Sequence, residues 1–321
     1  MWYYHTPFDS SALDFRVRKF ELTVLGCGAA APTPYFLTTS QLVNIHDHLI
    51  LIDCGEGCQL TLRKKRLKFQ RIKYVLISHM HADHVLGLPG LLASMNLLGR
   101  KSVIEVYGPQ ELESFVKTVW DKTGTHIDFE VNFHIVDSEI PTEIIKTGSY
   151  VVKAFPTKHR VKTCGFRIEE LSGAWNIKPY AKEKFNLSYH EINQLKRGEN
   201  VVRKEGVEVK PSEWCVAPYP NRSYVFAADT AFTPKVVEAS KGATLLYHEA
   251  TFMESEKEIA KKTMHSTAAD AGKAAKEAKV SKLIIGHFSN RYRDLEGLLN
   301  EAKAVFENTY LAADGDSISI D

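Results

Sequence analysis

The chain has 321 residues, of which 44% are hydrophobic and 25% charged, and its formal net charge is +2. This composition is that of an ordinary globular protein with one large domain or two small ones, and the small net charge excludes polyanion binding over the whole surface. The odd number of cysteines and the absence of a C-x-x-C pair are typical of a reducing compartment: Cys27, Cys54, Cys58, Cys164 and Cys215. Because no apolar stretch approaches the roughly 20 residues of a membrane span and the start does not resemble a signal peptide, we expect a cytoplasmic protein.

Strands and helices alternate along the chain. Apolar runs predict strands, including a hairpin at 42–57, in the following segments: 20–28, 42–57, 72–78, 102–109, 128–136, 150–155, 164–170, 223–229, 244–250, 282–288 and 309–315. Helical periodicity and termination signals predict helices at 58–69, 85–99, 110–124, from 234, 266–278 and 294–306. We expect the second helix to break near Pro89 and the third to end at Gly124. This alternation predicts an α/β fold with helices on both sides of the sheets.

Residues 171–220 differ from the rest because they show little regular periodicity. A stretch of this length inside a compact domain is usually functional, so we interpret it as an insertion in a single domain spanning 1–321. Residues 176–210 contain eight Lys or Arg against five Glu. Four aromatic residues lie at or among these charges: Trp175, Tyr180, Phe185 and Tyr189. The alternative interpretation is a solvated loop.

The segment "SHMHADH" (78–84) directly follows a predicted strand. His79 and His81 point the same way from a strand end, and the following turn can bring Asp83 and His84 beside them. Imidazole and carboxylate without thiolate suit Zn²⁺, Mn²⁺ or Fe²⁺ in a catalytic site. Three more candidate ligands follow other predicted strands, at one edge of the sheets: His159, Asp229 and His287.

Another histidine cluster, His46-Asp47-His48, lies in the predicted hairpin turn. Polar residues at a hairpin tip are usually turn formers. We therefore interpret this cluster as part of the turn and not as a metal site.

Over roughly 20–320 the sequence resembles the metallo-β-lactamase superfamily, and within it the tRNase Z branch. The "SHMHADH" motif is shared by many hydrolases, whereas the combination of "HEATF", "HSTA" and "HFSNRY" is more particular to the tRNA 3′-processing nucleases. The resemblance is carried by "GCGAAAPTP" (26–34), "LIDCGEGCQ" (51–59), "SHMHADHVLGLPGLL" (78–92), His159 before "CGFRIE" (164–169), "ADT" (228–230), "HEATF" (248–252), "HSTA" (265–268) and "GHFSNRY" (286–292).

The resemblance implies a four-layer αββα sandwich of two mixed sheets with the metals at the sheet edge. It implies two Zn²⁺ per subunit, with Mn²⁺ as the alternative, and no organic cofactor. One zinc ion would be bound by His79, His81 and His159, the other by Asp83, His84 and His287, with Asp229 bridging them. Asp53 would hold the ligand geometry by hydrogen bonds.

The same resemblance implies the reaction. Two metals about 3.5–4 Å apart generate hydroxide from water and clamp a phosphoryl group for in-line displacement. Asp83 would orient the attacking water, while Glu249 would hold His265 in its charged form as the general acid. The alternative for this pair is a structural brace. Candidate phosphate contacts are Ser266, Thr267, Ser289, Arg291 and Tyr292.

The predicted function is therefore a zinc-dependent endoribonuclease that removes the 3′ trailer from precursor tRNA and leaves a 3′-hydroxyl on the tRNA and a 5′-phosphate on the trailer. The insertion at 171–220 occupies the place of the family's tRNA-binding arm, although it lacks the usual Gly-Pro tip. A homodimer and no membrane partner are expected. The alternative function is a phosphodiesterase or arylsulfatase of the same fold that acts on small molecules.

A second basic run carries seven positive residues within eleven and no acidic residue. Such runs are usually solvated helix faces, but this one shortly precedes the metal motif in sequence and could steer phosphates. Its members are Arg63, Lys64, Lys65, Arg66, Lys68, Arg71 and Lys73.

Overall fold

The computed structural model describes residues 18–203, 206–227 and 229–321. Within them the strands are β1 (Phe20–Gly26), β2 (Ser40–Ile45), β3 (His48–Cys54), β4 (Ile72–Leu76), β5 (Ile104–Gly108), β6 (Val131–Ile135), β7 (Thr142–Lys146), β8 (Tyr150–Pro156), β9 (Cys164–Glu170), β10 (Asn176–Ile177), β11 (Val201–Val202), β12 (Glu208–Val209), β13 (Cys215–Val216), β14 (Ser223–Ala227), β15 (Leu245–Glu249), β16 (Lys282–Gly286), β17 (Thr309–Leu311) and β18 (Ser317–Ser319). The helices are α1 (Cys58–Lys64), α2 (Ala82–Val85), α3 (Gly87–Leu97), α4 (Leu112–Thr123), α5 (Pro179–Phe185), α6 (Tyr189–Lys196), α7 (Pro211–Trp214), α8 (Pro234–Ser240), α9 (Lys257–Thr263), α10 (Ala268–Ala278) and α11 (Glu296–Val305). Single 3₁₀ turns occur at Phe69–Arg71 and Glu254–Glu256.

Two seven-stranded mixed sheets form the frame. The first has the order β18-β1-β2-β3-β4-β5-β6 and is parallel from β3 to β6. The second has the order β17-β16-β15-β14-β9-β8-β7 and is parallel from β14 to β17. In each sheet, parallel strands that alternate with helices adjoin antiparallel strands. The prediction of two mixed sheets with flanking helices is confirmed.

The first sheet packs against the second sheet on one face and against helices on the other. Successive residues of a strand point to opposite faces, so each face of the sheet contributes to a different core. Ile52 of β3 packs in the cluster that includes Ile168 and Phe226 of the second sheet. Its neighbour Leu51 faces the other way and packs in a separate cluster with Leu91 of α3. Both faces of the first sheet are therefore buried, which accounts for the continuous apolar runs in the sequence.

Most predicted elements are present, with differences at their ends. The helix expected at 58–69 ends at Lys64, and Arg66 after it has a positive φ of 54°. The break expected at Pro89 lies instead at Leu86, the cap shared by α2 and α3. Pro89 is tolerated within the first turn of α3, where its missing N–H would have no intrahelical partner. Gly124 closes α4 with φ 64° as predicted, whereas β7, β18 and α9 were not predicted.

The insertion contains more regular structure than its sequence suggests. Ser188 and Glu191 form a capping box that starts α6, and two short antiparallel pairs, β10–β13 and β11–β12, hold the segment together. Its own small core is separate from the cores of the sandwich and consists of the buried residues Leu187, Leu195, Val201, Val209 and Cys215. The expectation of an irregular segment was therefore wrong for its described part.

The described helices were also compared with the length and apolarity that a bilayer requires. None of them is long and apolar enough to cross a membrane.

Gly55 provides a test of how the fold positions the loop at 78–84. A Cβ at this position would overlap Oγ1 of Thr38 and the carbonyl oxygen of Asp83 in α2. We expect Gly55→Ala to lower the free energy of unfolding by about 1–3 kcal/mol, measured by urea denaturation, and to disturb α2. The control is Gly90→Ala, because the nearest atom to its added Cβ is Nε2 of Gln59 at 3.8 Å. Equal stability of the Gly55→Ala variant and the wild type would contradict this account of the packing.

Candidate metal centre

The candidate ligands lie in the segments that follow four different strands, and the ends of these strands meet at one edge of the sandwich. His79 and His81 lie in the loop between β4 and α2, and Asp83 and His84 lie in α2. The remaining three lie just beyond β8, β14 and β16: His159, Asp229 and His287. The structure thus brings together all seven residues that the sequence singled out.

The first group surrounds a common point. Nδ1 of His81 lies 2.9 Å from Nε2 of His79 and 3.3 Å from Nε2 of His159. Oδ2 of Asp229 lies 3.6 Å from Nε2 of His79 and 3.8 Å from Nε2 of His159. These separations are close to the roughly 3.4 Å expected between two ligand atoms of a tetrahedral shell with bonds of about 2.1 Å.

The second group lies on the other side of the same carboxylate. Oδ1 of Asp229 is 3.3 Å from Nε2 of His84 and 3.2 Å from Nε2 of His287. Oδ2 of Asp83 completes the group at 3.6 Å from His84 and 3.4 Å from His287. Each oxygen of Asp229 therefore faces one group, which is the arrangement of a carboxylate that bridges two cations.

The hydrogen bonds of the imidazole rings test whether cations fit here. Four histidines use Nδ1–H to donate outward and present Nε2 to the centre. The acceptors are Oγ of Ser78 for His79, Oδ2 of Asp53 for His84, the carbonyl of Met264 for His159 and Oγ1 of Thr251 for His287. In the part of the chain that the structure describes, Nε2 of His84 and Oδ1 of Asp229 are buried without a hydrogen-bond partner. Lone pairs that converge in this way are stabilised by bound cations, so these residues fit a divalent metal site.

Electrostatics agree with this interpretation. Burial lowers the pKa of His79, His81 and His159, which keeps their imidazoles neutral, as metal binding requires. Burial alone would also lower the pKa of His84, but the nearby carboxylates outweigh it and raise the pKa, and Asp229 has the largest effect among them. The centre therefore attracts positive charge.

Asp53 lies beneath the ligands and is fully buried. It accepts the backbone N–H of Ser78 at 2.8 Å, the Ser78 hydroxyl at 2.8 Å and Nδ1–H of His84 at 2.7 Å. These bonds fix the start of the metal loop and orient one ligand ring, which is the supporting role expected for Asp53.

Glu249 and His265 form a contact beside the ligands. Nδ1 of His265 donates to Oε1 of Glu249 at 2.8 Å, and the same carboxylate accepts the backbone N–H groups of Thr230 and Thr251 at 3.0 and 3.1 Å. The Thr251 hydroxyl donates to Oε2 at 2.7 Å and accepts Nδ1–H of His287 at 2.9 Å. A single buried carboxylate thus holds His265 directly and a candidate ligand through one hydroxyl.

The pKa of His265 follows from this contact. Burial alone would lower it, but the Glu249 carboxylate outweighs burial and raises the pKa of His265 to about 9. The Glu249 carboxylate therefore favours the charged form of the imidazole at neutral pH. This is the state that a general acid needs.

An open cavity of about 420 Å³ lies over the ligands. Of the predicted phosphate contacts, Ser289 lines it. The hydroxyls of Ser266 and Thr267 are buried and donate to the Thr230 carbonyl and to Glu254.

The side chains of Arg291 and Tyr292 contact Glu256 instead of the cavity. The sequence did not single out three other residues near the centre, Arg160, Thr251 and Asn290, which line the cavity. Nothing in the local spacing distinguishes them, since Arg160 and Asn290 are polar residues in loops.

The second histidine cluster lies elsewhere. His46 contacts Glu170 at 2.6 Å and His48 contacts the hydroxyl of Tyr150 at 3.1 Å. His46 and Asp47 both have positive φ, of 51° and 66°, and connect β2 to β3. These residues form the turn, as the sequence indicated.

Comparison with known proteins identifies relatives of the whole chain. The family model described as "Anti-Pycsar protein Apyc1" matches residues 20–309. Ribonuclease Z of Bacteroides fragilis (strain YCH46) is 41% identical over 304 residues, which cover 95% of this chain and 100% of the relative.

Solved structures show the same relationship. Human tRNase Z, short form, has a TM-score of 0.68 at 26% identity and covers 94% of this chain and 99% of its own. YhfI from Bacillus subtilis, described as a metallo-beta-lactamase fold protein, has a TM-score of 0.66 at 20% identity with the same coverage, a similarity that shows the fold alone.

The family model and the full-length relative carry different names but match nearly the same residues, so both describe this fold. The relative is 41% identical over almost all of both chains. The chain therefore belongs to the ribonuclease Z family and has the metallo-β-lactamase fold.

Proposed function

We propose that the protein removes the 3′ trailer from precursor tRNA and leaves a 3′-hydroxyl on the tRNA and a 5′-phosphate on the trailer. Membership of the ribonuclease Z family makes it a metal-dependent endoribonuclease. The observation that carries the proposal is the Asp229 carboxylate between two ligand groups, with the charged His265 beside them. The donor set of imidazole and carboxylate suits two Zn²⁺ per subunit, with Mn²⁺ as the alternative.

Divalent cations in such a pair lower the pKa of water and stabilise the charge that develops on phosphoryl oxygens. Asp83 remains a carboxylate, because His84 and His287 outweigh burial and hold its pKa well below its usual range. Its Oδ2 also accepts the backbone N–H of Ala30 at 2.7 Å, which fixes its orientation. Asp83 is therefore placed to accept a hydrogen bond from the attacking water.

His265 completes the reaction. As the water oxygen bonds to phosphorus, the bond from phosphorus to the 3′ oxygen of the tRNA breaks, and this oxygen needs a proton. His265 donates it from Nε2, since Nδ1 is held by Glu249. Glu249 keeps its charge because His265 outweighs burial and lowers the pKa of the carboxyl.

We assign residues 171–220 as the arm that binds the tRNA away from the cut. Tyr189 and Tyr180 are 81% and 54% exposed, so their rings are available for stacking on bases. Nζ of Lys184 lies 4.3 Å from the centre of the Trp214 ring. Exposed aromatic rings and lysines in one segment are the chemistry that single-stranded or looped RNA favours.

A homodimer is the assembly that we propose. The outward face of α3 and its cap Leu86 carries no charge. Residues 86, 90, 93, 94 and 97 recur at helical spacing and are Leu, Gly, Ala, Ser and Leu. Leu97 is 84% exposed, and Leu60 of the neighbouring α1 is 53% exposed. A second copy of the chain is the occupant that such an apolar face fits.

The first test is cleavage of a 3′-extended precursor tRNA beside a chromogenic phosphodiester. We expect metal-dependent cleavage at the trailer, with a 3′-hydroxyl on the tRNA shown by its ligation to a 5′-phosphorylated adapter. Metal analysis of the purified protein should give two ions per chain. Hydrolysis of the chromogenic compound without cleavage of the precursor would favour the alternative function, a phosphodiesterase for small molecules.

The second test concerns His265. We expect His265→Ala to lower kcat for the precursor by about 10²–10⁴, because the leaving oxygen loses its proton donor, while metal content is unchanged. The descending limb of the pH–rate profile should also disappear, since the acid must be protonated below its pKa. His126→Ala, at an exposed histidine whose side chain is 89% accessible, is the control. Unchanged turnover in the His265 variant would refute its role as the acid.

The third test concerns assembly. We expect Leu97→Glu to convert a dimer into a monomer of 36.2 kDa, measured by light scattering coupled to size exclusion, because the variant places charge in the apolar face. Val202→Glu in the arm, where the side chain is 73% exposed, is the matched control and should stay dimeric. If both variants keep the wild-type mass, the α3 face is not the interface.

A further inference from the structure

The basic run before the metal motif forms a continuous exposed surface. This basic face consists of Arg63, Lys64, Lys65, Arg66, Lys68, Arg71 and Lys73, all of them exposed. It covers the end of α1, the following 3₁₀ turn and the first part of β4. None of its residues belongs to the metal centre, and the mechanism above does not use them.

Arg66, Lys68 and Arg71 of the basic face lie toward the end of the sandwich opposite the metal centre, although they are close to the metal motif in sequence. They line one cavity with Lys19 and Leu49, beside the starts of β1 and β3. β4 carries the chain from Ile72 to Leu76, and Ser78 reaches the metal edge. Six steps of extended chain span about 20 Å. Phosphates at the cleavage site are therefore too far away for these side chains to touch.

The root of the arm lies at this same end. β9 runs from Cys164, whose backbone N–H donates to Ser78 at the metal edge, to Glu170. Glu170 contacts His46 in the turn between β2 and β3, and Leu49 beside this turn pairs with Ile72 at the start of β4. The arm and the basic face therefore begin at one end of the molecule.

A cavity of about 290 Å³ opens within the basic face. Four cations line it, and the acidic residues beside them are Glu21, which pairs with Lys19 at 2.9 Å, and Asp47. The cationic members are Lys19, Arg66, Lys68 and Arg71. Positive charge therefore exceeds negative charge around the opening.

The exposure of the lysine and arginine side chains indicates which kind of ligand this surface binds. A small anion is normally bound by buried, fixed donors, whereas a row of exposed lysines and arginines suits a ligand with charge spread along its length. The guanidinium groups of Arg66 and Arg71 can each form two parallel hydrogen bonds with a phosphate. A polynucleotide backbone has this chemistry.

We propose that the basic face binds the phosphate backbone of the RNA substrate at a second place, about 20 Å from the metal centre. The identity of the RNA rests on the proposed function. Binding at this face positions the body of the substrate and contributes to affinity, while the chemical step depends only on the metal centre.

The test uses the triple variant Arg66→Gln, Lys68→Gln, Arg71→Gln in the full-length, metal-loaded enzyme. Three lost phosphate contacts should reduce the slope of log KM against log salt for precursor tRNA by about 2–3 and raise KM at low salt at least tenfold. kcat at saturating RNA, metal content and hydrolysis of a chromogenic phosphodiester should stay at wild-type values. The matched control is Lys273→Gln, Lys276→Gln, Lys279→Gln on and just after α10, which removes the same charge from exposed positions over the other sheet.

Equal KM and equal salt slope in the two triple variants would overturn the proposal. The proposal would also fail if the first variant lost as much activity on the chromogenic compound as on the precursor, because the defect would then lie in the metal centre. If the wild type does not cleave the precursor, the proposed function fails, and filter binding of the same RNA decides the inference separately. A weaker and less salt-dependent binding by the first variant than by the control supports the basic face. Identical RNA binding by the two triple variants would show that the basic face does not bind the RNA.

Discussion

The position of the Asp229 carboxylate between the two groups of candidate ligands is the constraint on which the site depends. Its two oxygens lie within 3.8 Å of four imidazole nitrogens from three loops and one helix. Carboxylate oxygens and imidazole lone pairs that converge in a buried place are unfavourable without positive charge. The hydrogen bonds around the rings are therefore needed to hold them in this arrangement. β14 lies near the centre of the second sheet, between β9 and β15, and this position delivers Asp229 between the loops that carry the other ligands.

Glu249 makes the two chemical functions of the site interdependent. A fully buried carboxylate is costly unless donors compensate it, and here two backbone N–H groups, the Thr251 hydroxyl and His265 do so. Thr251 also accepts from His287, so the same charge fixes the tautomer of a candidate ligand and favours the charged form of His265. In the proposed mechanism, metal binding and the supply of the proton would therefore both depend on Glu249.

The sequence predicted that the candidate ligands would lie together, because each histidine or aspartate follows an apolar strand directly or lies in the loop and helix after it, and strand ends meet at one edge. Thr251 could not be predicted in this way, since its role depends on two contacts made across the fold. The break at Leu86 was missed for a similar reason, because Gly87 packs against the carbonyls of Cys54 and Gly55, a tertiary contact that overrides local propensity. The regular structure of the arm was missed because its elements are short and are held by a small core of their own.

The separation between the metal centre and the surfaces proposed to bind RNA follows from the topology. β4 and β9 both run from one end of the sandwich to the other, so the root of the arm and the basic face lie about 20 Å from the cations that the site would hold. A hydrolase of small molecules has no use for binding groups at this distance, whereas an enzyme that must find one phosphodiester in a long polymer does. Under the proposed function, contacts at the far end would fix the body of the substrate, and the rigid sheets would then determine which phosphodiester reaches Asp229. The length of the strands would in that case set the cleavage position, and the metal centre would need no recognition of the bases on either side of the cut.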